Sequence, residues 1–373
     1  MTVFHVIISL RVVGGAELML KRLIEHSKSE KKIFNVVITL LDSGDIGDYL
    51  RGLGVTVIDL NIKSAKGLVF ALPRLIYLIK KHNPNVVQTW MYHSDLFGGL
   101  AGKVCGVNKI VWNIRNTEIP PSRFWGTKFL VNICAVLSKY IPNSIVCNSS
   151  AGLQAHAKLG YPPSKMIIIP NGFDQDEWKK AKNKSKNLLN PLTKNSFIIG
   201  TIGRFDTLKG FDIFIEAAGI VSSRSKRPYI FMMAGREIDD NNNQLKELIV
   251  KKGGNAKFKL LGERKDIPRI MQMIDVFCLP SRAEGFPNVL AEAMLAEKVC
   301  VSTDVGDARK ILGNNGIIVP AENPLLLASG LLKTEKMSKK SAAERGKTSR
   351  ERIIQNFSMK RISAMYLNLY KQL

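Results

Sequence analysis

The 373-residue sequence is poor in cysteine. Cys105, Cys134, Cys147, Cys278 and Cys300 are scattered, and no two form a CxxC pair. Each sits among apolar neighbours, so they read as small buried hydrophobes, with no disulfide framework or cysteine zinc site. No apolar run reaches 18 residues. The nearest, Leu68 to Ile79, is broken by Pro73 and Arg74, so nothing reads as a bilayer span. Met1 to Ser9 lacks a basic leader and a small-residue cleavage site, and reads as a first strand, not a signal peptide. Internal repeats and low-complexity tracts are absent. So is the GxGxxG fingerprint, which argues against a nicotinamide enzyme. Acidic residues are scarce: 31 Asp and Glu stand against 55 Lys and Arg, a net charge of +24. The excess is diffuse, with 22 basic against 12 acidic residues in positions 1–180. Such a field suits nucleic acid, anionic lipid or a phosphate-bearing substrate. No RNP-like, KH-like or zinc module is present, so a basic nucleic-acid-binding protein is the weak alternative, and no nucleic-acid partner is expected.

What is present is an alternation of short apolar runs with amphipathic stretches, the pattern of parallel α/β sheets. Val3–Ser9, Asn35–Leu41, Thr56–Leu60, Asn85–Trp90, Lys109–Ile114 and Ser144–Cys147 read as strands. A second series follows: Phe197–Ile202, Tyr229–Ala234, Lys257–Leu261, Val276–Leu279 and Val299–Ser302. Between the two series lies a polar stretch rich in Lys and Asn. The expected organisation is a Rossmann-like domain over 1–175, a linker over 176–195, and a second Rossmann-like domain over 196–355. A C-terminal helix, 356–373, would cross back to the first domain. The fold class is α/β, two doubly wound domains facing across a cleft. Ligands of such sheets bind beyond the carboxyl ends of the strands.

Those strand ends carry the chemistry-bearing residues. After the strand Val276–Leu279 comes Ser281-Arg282-Ala283-Glu284-Gly285-Phe286-Pro287-Asn288-Val289-Leu290-Ala291-Glu292. A helix is expected from about Pro287, with Glu284 before it and Glu292 on the same face as Asn288. Two carboxylates then flank a helix N-terminus that favours an anion, and carboxylates accept hydrogen bonds from pairs of sugar hydroxyls. Gly14 and Gly15 follow the first strand and let backbone approach a phosphate. Arg204 ends the first strand of the second series, and Lys209 begins the next helix; two cations there can neutralise a diphosphate. His93 lies just past Asn85–Trp90. Asp95 either orients His93 or caps a helix. Arg115, ending Lys109–Ile114, is an acceptor contact or an interdomain or surface charge. Asp174-Gln175-Asp176 matches an Asp-x-Asp metal signature but falls at the domain junction, so no metal site is expected.

The spacing Glu284-x7-Glu292 and its context resemble the retaining glycosyltransferases of family 4, bacterial surface-polysaccharide type, with the GT-B fold. Gly14-Gly15-Ala16-Glu17 resembles the family's N-terminal glycine loop, and Pro170-Asn171-Gly172-Phe173-Asp174 its interdomain junction. Gly203-Arg204 with Lys209-Gly210 resembles its phosphate element, and Val305-Gly306 its later glycine turn. The resemblance covers nearly the whole chain, in order. It implies transfer of a hexose or N-acetylhexosamine from a nucleotide sugar, UDP-linked by preference, to a glycan acceptor on a polyprenyl carrier. Catalytic residues would be His93 and Glu284. Donor contacts would be Gly14, Gly15, Arg204, Lys209, Gly285, Phe286, Pro287, Asn288, Val289 and Glu292. Acceptor contacts would be Arg115 and Asp95. No cofactor is expected. The runner-up on the same architecture is a nucleotide-sugar 2-epimerase. Phe124–Ile141 reads as a helix with an aromatic start, either a core helix or a membrane-surface one. With the net charge it motivates a cytoplasmic protein peripheral to the anionic inner face of a membrane.

Overall fold

A computed structural model describes residues 1–11, 14–29, 33–62, 67, 70–117, 125–176, 178 and 196–373. The chain divides into two compact units: Met1–Gly172 with Met359–Leu373, and Phe173–Ser358. Most of the expected linker lies outside the described residues, as does Phe124.

The first unit is built on strands β1 (Thr2–Ile7), β2 (Phe34–Thr39), β3 (Thr56–Asp59), β4 (Val86–Trp90), β5 (Ile110–Ile114), β6 (Ser144–Cys147) and β7 (Met166–Ile168). All pair in parallel, in the order β3-β2-β1-β4-β5-β6-β7. The second unit holds β8 (Phe197–Ile202), β9 (Tyr229–Ala234), β10 (Phe258–Leu260), β11 (Val276–Leu279), β12 (Val299–Thr303) and β13 (Gly316–Val319). These too are parallel, in the order β10-β9-β8-β11-β12-β13. Both sheets are Rossmann-like and reverse direction between their first and fourth strands, β1/β4 and β8/β11. At such switch points the flanking loops splay apart and leave a crevice.

Sheets covered on both faces need continuous apolar strands. Val3, Phe4, Val6 and Ile7 of β1 are fully buried, as are Phe277, Cys278 and Leu279 of β11. Burial also raises the thiols of Cys134, Cys147, Cys278 and Cys300, keeping them protonated. The edge strands β7 and β13 are additions to the sequence reading. Each spans three or four residues, ends near a proline or Gly–Pro-rich turn, and carries too few residues for a periodicity signal.

The C-terminal segment is two helices, Lys339–Phe357 and Met359–Gln372, where the pattern suggested one. The second belongs to the first unit. Its Met359, Ile362, Tyr366, Leu369 and Tyr370 follow a helical period and pack with Val3, Ile7, Val86 and Trp90. Lys109 Nζ donates to Tyr370 O at 2.7 Å, which also places a cation at the helix C-terminus. Gly172 packs closely against this helix: a Cβ there would crowd Met359 Sδ and Ile362 Cβ, so their side chains would have to shift.

Candidate active site

In the second unit the site grows from the β8/β11 switch point. β8 and β11 are neighbours, with Val276 opposite Ile199. After β8, Asp206 caps a tight turn, Thr207–Lys209, by accepting the Leu208 N–H at 2.9 Å. The next residue, Gly210, has φ +65°, and a Cβ there would collide with Pro280 O. Lys209 therefore sits in a short turn before the helix Phe211–Arg224 and not within it. The turn lies against the loop that follows β11, and Lys209 Nζ meets Glu284 Oε1 at 2.7 Å. Ser281 Oγ donates to the same oxygen at 2.8 Å. Ser281 is fully buried, and its carbonyl accepts from Thr303 Oγ1 at 2.7 Å. Glu284 is only 10% exposed and Lys209 28%, so the pair is shielded from salt more than a surface pair would be.

Arg204 is different. It is 62% exposed and pairs with Asp206 at 3.2 Å, leaving its guanidinium largely in solvent beyond β8. Gly285 O accepts from Asp307 N at 3.0 Å. Gly306, at φ +54°, brings its Cα so close to the Glu284 and Gly285 carbonyls that no side chain fits. The Val305-Gly306 turn thus fixes the backbone under Glu284. The helix runs Asn288–Leu295, one residue later than expected, with Pro287 at its cap. Asn288, Val289 and Glu292 are half-buried along its first turns. Pro287 and Phe286 are buried. Phe286 stacks on Phe173 (ring centroids 6.2 Å apart) and meets Phe357 edge-on at 5.5 Å, so its ring is a core group and only its backbone remains for a ligand.

In the first unit, Gly14 precedes the helix Gly15–Ser29. Glu17 at its third position reaches back, and its carboxylate accepts the Gly14 and Glu17 backbone N–H groups. Burial pushes that carboxyl above the ordinary Glu value. Of the two glycine amides expected to receive a phosphate, Gly14 N–H is thus turned toward Glu17. The signal for this was the Gly-x-x-Glu spacing of a capping box.

His93 is the second residue of the helix Tyr92–Val104, immediately past β4. Met91 before it has φ +70° and ψ 161°, a region nearly confined to glycine that costs on the order of 1–3 kcal/mol. Met91 is held there by Met91 N→Asn113 O (3.1 Å) and Asp95 N→Met91 O (2.9 Å). Burial lowers the His93 pKa, so the ring is neutral at pH 7.

Asp95 and Arg115, expected at an acceptor, are interior groups. Asp95 is fully buried and accepts from Thr89 Oγ1 at 2.5 Å, while desolvation pushes its pKa up to about 7. Arg115 is 8% exposed and donates to Asn113 Oδ1 at 2.9 Å, to Asn171 Oδ1 and to Tyr366 OH at 2.5 Å. Its guanidinium lies 4.9 Å from the Trp90 ring centre. A strand-end arginine reads as a ligand contact until the C-terminal helix is seen to cover it. Asp174 binds its own chain, accepting Asp176 N–H at 2.8 Å. Among the described residues no group of three His, Cys, Asp or Glu side chains is placed to hold a metal. Sequence reasoning passed over Ser281, Arg282 and Asp212. The first is a buried hydroxyl, and the other two form a charge pair separated by 70 positions.

Known proteins resemble the chain along its length. The sequence model described as Glycosyltransferase Family 4 matches residues 13–177, and that described as Glycosyl transferases group 1 matches 196–335. An Escherichia coli protein, UDP-Gal:alpha-D-GlcNAc-diphosphoundecaprenol alpha-1,3-galactosyltransferase, is 26% identical over 296 residues, covering 76% of this chain and 74% of its own. The capsular polysaccharide biosynthesis glycosyltransferase CapM of Staphylococcus aureus is 22% identical over 67% of each chain. Among solved structures, Anabaena Alr3699/HepE in complex with UDP superposes with a TM-score of 0.83, at 21% identity and with both chains fully covered. That likeness establishes the GT-B fold.

Proposed function

Because the chain belongs to the family 4 type of glycosyltransferases, we propose that it transfers a hexose or N-acetylhexosamine from a UDP-sugar, with retention, to a lipid-linked glycan of a bacterial surface polysaccharide. The observation that carries the donor reading is the Lys209–Glu284 pair at the β8/β11 switch point, a cation and a carboxylate fixed 2.7 Å apart beside a helix N-terminus. A diphosphate needs the first and the last of these, and sugar hydroxyls need the second.

In this reading Lys209 and Arg204 hold the diphosphate, and Glu292 takes the ribose hydroxyls. Glu284 and the backbone of Gly285–Val289 take the sugar. The neutral His93 ring hydrogen-bonds the transferred sugar and is no proton source at pH 7. The acceptor proton passes to a donor phosphate oxygen as the glycosidic bond breaks, so no side-chain base is assigned. Lys209, Arg204 and the helix dipole carry the leaving group's charge, and transfer is expected to survive excess EDTA. The relatives' names support the UDP-sugar and the lipid-linked acceptor: one takes UDP-Gal to a diphosphoundecaprenol glycan, and another belongs to capsule synthesis.

We also propose peripheral binding to an anionic membrane. No helix among the described residues is long and apolar enough to cross one. The helix Trp125–Leu137, with the turn after it, exposes Phe129 (68%), Val136 (61%) and Tyr140 (68%) beside the exposed Lys128 and Lys139.

The deciding experiment is a thermal-shift screen of UDP, GDP, ADP and their sugars. A ligand of the folded state raises Tm, by about 2.7 kcal/mol of added stability at one hundred times its Kd. UDP and one UDP-sugar should shift it. A shift with GDP alone, or with none of them, would overturn the donor assignment.

A further inference from the structure

Lys209 and Glu284 stand on two segments, 75 positions apart, that must be kept in register to meet one ligand. Arg282 lies between those segments. Its backbone N–H donates to Leu208 O at 2.8 Å, and its Nη1 donates to Thr207 O at 2.8 Å. The same guanidinium grips Asp212 through two parallel bonds, Nη1–Oδ1 at 2.8 Å and Nη2–Oδ2 at 2.7 Å. Its Nε lies 3.3 Å from Glu322 Oε1. The Arg282 and Asp212 side chains are 23% and 26% exposed. The paired guanidinium holds the Asp212 carboxyl below its ordinary value. Asp212 stands in the first turn of the helix Phe211–Arg224, where a negative charge is favoured. Beside this grip, Gly210 and Pro280 O close the seam at backbone distance. The Lys209–Glu284 pair spans the same seam.

We propose that Arg282 is a positioning residue for the donor site. It clamps the Thr207–Lys209 turn to the Ser281–Glu284 loop, so that Lys209 and Glu284 meet the donor as one preset unit. The inference rests on the donor reading above. Arginine is needed because its planar fork reaches the Asp212 carboxylate with two bonds and the Thr207 carbonyl with a third hydrogen. Lysine offers a point charge that cannot hold this geometry. A site loosened by a fraction of an ångström loses the advantage of fixed orientation while its ligands remain present.

The test uses the full chain and two measurements. In the first, amide hydrogen exchange is followed without nucleotide in the wild type, R282Q and D212N. Both variants should exchange about 10-fold faster in Thr207–Gly210 and in Ser281–Glu284, with the rest of the second unit unchanged. In the second, UDP binding is measured by calorimetry in R282Q, K209A and the double variant. R282Q should weaken UDP about 10-fold, and the double variant should bind no more weakly than K209A, because the clamp acts through Lys209. A merely structural role would add its loss in both backgrounds. R282K, the smaller change, should move both readouts in the same direction, and it decides the matter if R282Q fails to fold. Native exchange at Thr207–Gly210 in R282K and D212N, or additive losses in the cycle, would overturn the clamp. A wild type that binds no UDP would overturn the donor reading instead, and the exchange arm then decides the clamp by itself.

Discussion

Lys209 Nζ and Glu284 Oε1 lie 2.7 Å apart, so the cation assigned to the diphosphate and the carboxylate assigned to the sugar neutralise one another across 75 positions of sequence. Glu284→Ala frees Lys209 for phosphate. UDP should then bind as well as in the wild type, or up to about 10-fold tighter, while sugar transfer falls by roughly 10²–10³. Calorimetry with UDP and a transfer assay check both halves. Weaker UDP binding in this variant would contradict the relationship.

Glu292 should behave in the opposite way. Ribose is common to donor and product, so Glu292→Ala should weaken UDP itself by roughly 10–100-fold, the loss of a charge-assisted hydrogen-bond pair. An equal UDP loss in the Glu284 and Glu292 variants would remove the division between them.

His93 is held neutral by burial, its pKa below the ordinary histidine value. The ring therefore gives up its proton below the ordinary histidine range, so kcat/KM should show no His93 limb between pH 7 and 8. His93→Gln, which keeps a hydrogen-bonding group, should retain more activity than His93→Ala. A limb in that range that disappears in His93→Gln would show that the ring changes charge during turnover.

Asp95 gives a stability prediction with a definite sign. Its folded pKa of about 7 lies above the ordinary carboxylate value, so the folded state keeps a proton that the unfolded chain releases. Stability is lost as pH rises from about 4 to about 7 and is level above that. Asp95→Asn carries no charge and still accepts the Thr89 hydroxyl. It should raise Tm by roughly 5 °C at pH 8 and leave it unchanged near pH 4. A gain that is the same at both pH values would mean that ionisation of Asp95 is not the cause.

Membrane binding has its own test. The chain should sediment with vesicles rich in phosphatidylglycerol, less with neutral ones, and be released by high salt, since each basic residue near an anionic surface contributes about 1 kcal/mol. A Phe129→Ala/Tyr140→Ala variant should bind more weakly, because these two aromatic residues are each 68% exposed. Wild-type protein that stays in the supernatant with anionic vesicles at low salt would point to a soluble acceptor.

The order of elements was legible in the sequence because parallel strands buried on both faces are apolar throughout, as in Val3–Ile7 and Val276–Leu279. The candidate site was legible where the signal is local. Glycines mark close backbone approach at Gly210 and Gly306, and Glu284 and Glu292 stand at fixed spacing around one helix start. The tertiary structure alone decided which charges are spent on one another. Lys209 belongs to Glu284, Arg282 to Asp212, and Arg115 to Asn113, Asn171 and Tyr366. The same strand-end position therefore exposes Arg204 but buries Arg115 beneath a helix more than 240 residues later. The physical reason is that a charge's partner is set by distance in space, and in a doubly wound sheet adjacent strand ends come from remote parts of the chain.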